Sequence, residues 1–175
     1  MENKMANSVL VIGVGNAFRC DDGVGVYVAR QLASRSAPGV MVREESGEGA
    51  SLIEAWQGHS LVFVIDATSS DSRPGTVCRL DACDKTIPTE YFHYSTHAFS
   101  LAEAVEMARA LGSLPEKLLI YGIEGGCFDA GQTISESVRS AADRVARLIE
   151  AEIVDFHSSG HSKASNTAKG GYTHA

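Results

Sequence analysis

Positive charge is in short supply in this 175-residue chain: 15 Lys and Arg stand against 22 Asp and Glu, a formal charge of −7. Attraction to nucleic-acid phosphates or to an anionic lipid surface is therefore not expected to drive its function. Long apolar runs are missing too. The longest, Val9 to Val14, is strand-sized and far below the roughly 18 to 20 residues of a membrane-spanning helix. The N-terminal stretch offers one lysine and then that short run, without a small-residue cleavage site, so a signal peptide is not indicated and a cytoplasmic protein is expected. Cysteine is scarce: Cys20, Cys78, Cys83 and Cys127 show no Cys-x-x-Cys spacing, and a core of this size stands without disulfides, so they read as free thiols. What remains is 44% hydrophobic and 21% charged, enough apolar surface for one domain of ordinary size.

Short continuous apolar runs bounded by Gly or Asp are what a sheet covered on both faces requires. Three segments fit: Val9 to Val14, Leu61 to Ile65 and Leu118 to Ile123. Val40 to Glu45 and Thr76 to Leu80 mix apolar and polar positions, as strands near a sheet edge do. Between them lie helices. Capping boxes are expected at Ser51 with Glu54, Ser100 with Glu103 and Thr133 with Glu136. A first helix over about Gly23 to Ser34 aligns Val24, Val28 and Leu32. Leu52 and Trp56 read as core, with Gly58 as a helix stop. The last helix keeps a 3.6-residue period from Ile134 to Ile153. Alternating strands and helices imply right-handed crossovers and a mainly parallel, three-layer α/β sandwich. One domain is expected over residues 8–155, followed by a polar tail over 156–175 too poor in apolar residues to order itself.

In open parallel sheets, ligands bind beyond the carboxyl ends of the strands. Element order brings Asp21 and Asp22, Asp66 and Glu124 to that rim. His97 joins them, because the helix begun at Ser100 feeds the amino end of the next strand and so starts at the carboxyl edge. Carboxylates with an imidazole suit Zn, Ni, Mn or Fe, with positions left open for substrate or water. Glu124 is open to three readings: a helper at the rim, an ion-paired group, or a solvated one.

The loop from Gly13 to Gly25 also invites a phosphate-cradle reading. Its spacing opposes this, since the dinucleotide fingerprint needs glycine where Phe18 stands, and two aspartates at a helix start repel a pyrophosphate. The bland reading of Asp21 and Asp22 is helix capping by one of them. A Gly-x-Ser-x-Gly elbow and a P-loop lysine are absent, and Cys20 reads as a small, half-buried residue.

The run Gly13-Val14-Gly15-Asn16-Ala17-Phe18-Arg19-Cys20-Asp21-Asp22-Gly23-Val24-Gly25, then Val64-Ile65-Asp66-Ala67, then Ser95-Thr96-His97-Ala98-Phe99-Ser100-Leu101 resembles the hydrogenase maturation endopeptidases over roughly residues 8 to 153. That family removes a C-terminal extension from the large-subunit precursor of NiFe hydrogenases after nickel insertion. The resemblance implies a twisted five-stranded sheet with one antiparallel edge strand, for which Thr76 to Leu80 is the candidate. It also implies that Asp22, Asp66 and His97 are the metal-contacting and catalytic residues. Substrate contacts are assigned to Asn16, Asp21, Glu45, Gly47 and Glu48. In that last stretch the chain departs from the Asp-Gly-Gly-Thr of some members, reading Glu45-Ser46-Gly47-Glu48-Gly49.

The expected partner is a NiFe hydrogenase large-subunit precursor, and the expected metal is nickel supplied by that precursor. A zinc-bound peptidase using the same three ligands is the nearest rival. The alternative in another class is a Rossmann-like nickel- or nucleotide-binding module without hydrolysis, its nickel form drawing on His157, His161 and His174. A metal-polarised carbonyl and a carboxylate-activated water both fit the hydrolysis.

Overall fold

The computed structural model describes residues 8–35, 39–84, 86–87 and 100–166. Strand β1 (Val9–Val14) is buried along its whole length, and its side chains divide by parity, as a pleat demands. Val9 and Val11 enter one core cluster, while Leu10, Ile12 and Val14 enter another. The same division holds in β3 (Leu61–Thr68) and β5 (Lys117–Glu124), which explains why these strands read as unbroken apolar runs. Helices α1 (Val24–Ala33) and α4 (Glu136–Asn166) cover the first face; α2 (Gly49–Trp56) and α3 (Leu101–Ala110) cover the second. Strands β2 (Val40–Glu45) and β4 (Val77–Asp81) are the half-exposed edges.

The sheet order is β2-β1-β3-β5-β4, parallel throughout except for β4 against β5. The antiparallel edge falls where it was expected. From β1 the chain crosses over α1 to β2 on one side, then over α2 to β3 on the other side of β1. Successive crossovers thus leave in opposite directions between β1 and β3, which opens a crevice at their carboxyl ends.

Four boundaries differ from expectation by two residues or more. β3 runs on to Thr68, because Asp66, Ala67 and Thr68 pair with Gly122, Ile123 and Glu124; Asp66 therefore lies within the strand. α2 starts at Gly49, earlier than Ser51 suggested, because the Glu48 carboxylate caps it, accepting from the amides of Ala50 (3.1 Å) and Ser51 (2.9 Å). α4 starts at Glu136, three residues after Thr133. At its other end α4 does not stop near residue 155: helix continues to Asn166, so residues 156–166 are not the disordered tail expected. Phe156 still packs against the core. Beyond it each added residue gains a backbone bond at little nucleation cost, and the Ser158 and Ser159 hydroxyls donate to the carbonyls of Val154 and Asp155 (2.8 Å each). The Ser100–Glu103 capping box forms as expected, with the Ser100 amide donating to Glu103 Oε2 at 2.7 Å. Among the described residues no helix is long and apolar enough to cross a membrane.

Candidate active site

The chain leaves β1 through Gly15, whose φ of +129° and close approach to the Asp22 carbonyl oxygen (1.9 Å from where a Cβ would sit) admit only glycine. A 3-10 turn, Cys20–Gly23, then delivers it into α1. Gly13 and Gly25 have a steric role: a Cβ on Gly13 would lie 2.3 Å from the Gly25 carbonyl oxygen, and one on Gly25 would lie 2.3 Å from those of Val14 and Ile65. The glycines let α1 seat directly on the ends of β1 and β3, which brings the acids of this loop beside Asp66.

Asp22 turns back over the end of β1, where its Oδ2 accepts from the Asn16 amide at 3.1 Å. Asp66 is the one half-buried position in an otherwise buried strand. Its Oδ1 accepts from the next amide, Ala67, at 2.8 Å. Burial, then the charge of Asp22, push the Asp66 carboxyl up to about 7, against the pull of that one hydrogen bond. Both aspartates line a cleft of about 560 Å³ at the crevice between β1 and β3. Asn16, Glu45 and Gly47 line it as well, and Val14, Val26 and Leu101 give it apolar walls. Leu101 opens α3, so the start of that helix does stand at the carboxyl edge.

Asp21 is elsewhere. It is fully buried and does not line the cleft, nor does it cap α1. Its Oδ2 accepts from the amides of Gly126 (2.9 Å) and Cys127 (3.0 Å), and its Oδ1 from the amide and hydroxyl of Ser135 (2.7 Å each). Burial alone would push this carboxyl up. The hydrogen bonds from Ser135, Gly126 and Cys127 outweigh it and hold the group below the usual carboxylate range. The substrate contact assigned to Asp21 is thus replaced by a structural bolt between two loops. Sequence carried no signal for it, since the partners lie 105 to 114 positions away. Glu48, committed to capping α2, is also outside the cleft lining.

Glu124 is buried and fits none of its three expected readings. It accepts from the Thr68 hydroxyl (2.6 Å), the Ser70 amide (2.7 Å) and hydroxyl (3.0 Å), and the Ser72 amide (3.1 Å), fastening the loop that follows β3. His97 lies outside the described residues. Among those that are described, no group of three or more His, Cys, Asp or Glu side chains is placed to hold a metal ion.

All four cysteines are free. The Cys20 thiol is pushed up by its hydrogen bond with Cys127 and then by burial, and the Cys78 and Cys83 thiols are pushed up by burial first. A thiolate nucleophile needs the opposite shift.

Residues 26–152 match the family model of the hydrogenase maturation proteases. Hydrogenase 2 maturation protease of Escherichia coli is 28% identical over 119 residues, 66% of this chain and 71% of the relative. The hydrogenase expression/formation protein HoxM of Azotobacter vinelandii is 26% identical over 148 residues, covering 82% and 70%. Among solved structures, the NiFe hydrogenase maturation protease HycI of Thermococcus kodakarensis superposes with a TM-score of 0.64 at 25% identity, over 85% of this chain and 93% of that one. The E. coli hydrogenase maturating endopeptidase HybD reaches 0.70 at 20% identity, with the same coverage, and shares the fold.

Proposed function

The chain belongs to the hydrogenase maturation protease family and is an endopeptidase; from that premise we propose that it removes the C-terminal extension of a NiFe hydrogenase large-subunit precursor once nickel is in place. The observation that carries this reading is the pairing of Asp22 and Asp66 in one cleft, close enough for the charge of one to raise the pKa of the other. Two carboxylates held together in a half-buried crevice repel each other when both are ionised, and a divalent cation between them reverses the sign of that interaction. The nickel belongs to the substrate. Oxygen donors from Asp22 and Asp66, with His97 as the nitrogen donor, suit a borderline metal without saturating it. They leave room for a metal already held by side chains of the precursor.

On this reading the enzyme reads whether metal insertion is complete, because the chain to be cut enters the cleft only with the cation that the aspartates need. A carboxylate at the rim then takes the proton of the hydrolytic water. Thiols pushed toward their neutral form do not compete for that task. The net charge of −7 and the acidic cleft agree with a cationic substrate feature and give no support to a nucleic-acid partner.

The test is mass-spectrometric cleavage of purified precursor in nickel-loaded, zinc-loaded and metal-free forms, with Asp66→Ala and His97→Ala variants alongside. Loss of a C-terminal peptide from the nickel-loaded precursor alone, abolished in both variants, is expected. Cleavage regardless of metal, or none from a folded nickel-loaded precursor, overturns the proposal.

A further inference from the structure

Phe18 stands at the wall of the cleft with 67% of its surface exposed. A single exposed aromatic is ordinary on a protein surface, so its position and rigidity have to carry the argument. The position is distinctive. The other exposed large apolar residues among those described, Met41, Met107, Leu111, Leu148 and Val154, lie outside the cleft lining. Rigidity comes from both sides of the residue. The Phe18 amide donates to Asn16 Oδ1 at 2.9 Å, and its carbonyl accepts from the Gly131 amide at 2.8 Å. Next in the chain, the Arg19 guanidinium donates to the Phe128 carbonyl at 3.1 Å, and the Cys20 amide donates to the Gly131 carbonyl at 2.8 Å. The buried Asp21 completes the fastening of this loop to residues 126–135. With the backbone already held, covering the ring orders only its two side-chain torsions, a circumstance that favours an aromatic contact in binding.

We propose that Phe18 is a specificity anchor, which receives an apolar side chain of the substrate polypeptide a few residues from the bond that is cut. The inference rests on the chain being a precursor-cleaving endopeptidase, and it assigns to the cleft a second contact independent of the metal. The aspartates and Phe18 line one cavity, so a polypeptide seated there with its metal at Asp22 and Asp66 has the ring within the same cleft. Such a contact exists equally in the ground state and the transition state, so its loss appears in KM and not in kcat.

The experiment is steady-state cleavage of nickel-loaded precursor by the wild type, Phe18→Ala and Phe18→Leu. KM is expected to rise by about ten- to thirtyfold in Phe18→Ala with kcat within about twofold, and Phe18→Leu is expected to recover most of the loss. Replacing the matching apolar residue of the precursor by alanine should add nothing further to the Phe18→Ala defect. Melting temperature serves as the check on folding, and an exposed ring should leave it unchanged. An unchanged KM in Phe18→Ala with an active wild type overturns the anchor and leaves the protease reading standing. A Phe18→Leu variant as poor as Phe18→Ala overturns the apolar contact in favour of a cation stacked on the ring. A wild type that cleaves nothing overturns both.

Discussion

Of the carboxylates at the carboxyl edge of the sheet, Asp21, Glu124, Asp22 and Asp66 divide into two regions with opposite circumstances. Where the loops are stitched together, Asp21 and Glu124 are buried and surrounded by donors: amides of residues 126, 127 and 135 around the first, hydroxyls and amides of residues 68, 70 and 72 around the second. In the cleft, Asp66 has one short-range amide and a second aspartate as its neighbour. The same chemical group is construction material in one place and a binding device in the other. Donors decide which, because a carboxylate whose lone pairs are filled gains nothing from a cation. One whose neighbours raise its energy gains a great deal.

The sharpest way to break this contrast is to neutralise the cleft. Asp66→Asn should lower precursor cleavage by about 10²- to 10⁴-fold and at the same time raise the melting temperature above pH 7. The sign follows from linkage: the folded pKa of about 7 lies above the ordinary 3.8, so ionisation of Asp66 costs stability progressively as pH rises from about 4 to 7. The gap between variant and wild type should close at acid pH, and a variant no more stable than wild type at pH 8 would contradict the account. Asp21→Ala should do the reverse, costing about 2 to 4 kcal/mol in urea unfolding, since it strands buried donors on Gly126, Cys127 and Ser135. The Asp21 pKa is lowered on folding. Its contribution is therefore present above the ordinary carboxylate range and is lost as acid protonates it, so the difference from wild type should shrink below about pH 4.

Two smaller effects sharpen the comparison. Asp22→Asn should bring the Asp66 pKa down from about 7 while leaving it elevated, because burial is the larger cause and the Asp22 charge the lesser; carboxyl carbon NMR across a pH series reads this directly. The smallest effect belongs to His59, buried ahead of β3 with no hydrogen-bond partner at Nδ1 among the described residues. Burial, then Arg43, hold its imidazole below the ordinary range. Folding thus favours the neutral ring, and stability should decline as pH falls below about 6.5. Thermal unfolding between pH 7.5 and 5.5 should show this slope flattened in His59→Phe.

Much of the architecture was legible from residue order. β1, β3 and β5 announced themselves because the middle of a strand covered on both faces is apolar, and β2 and β4 because edges tolerate polar positions. Local capping signals were less dependable. Ser100 capped its helix as read, but Glu48 displaced Ser51, and α4 began three residues after Thr133. A serine followed by an acid three residues on is a short pattern, and which group caps depends on where the incoming chain turns. The helical course of residues 156–166 was illegible for a related reason: composition reports whether a segment can bury surface, not whether a helix already nucleated upstream will carry it along.

Family resemblance singled out Asp22, Asp66 and His97, while the sequence by itself determined the layered α/β sheet and the placement of its acids at the carboxyl rim. Sheet and placement follow from periodicity and element order, which are properties of neighbours in the chain. Only the tertiary structure decided that Asp22 faces the cleft while Asp21 turns into the protein. The two are one position apart on a single 3-10 turn. What separates them is the loop from Gly126 to Ser135, which approaches from the far end of the chain and supplies donors to one side of that turn alone.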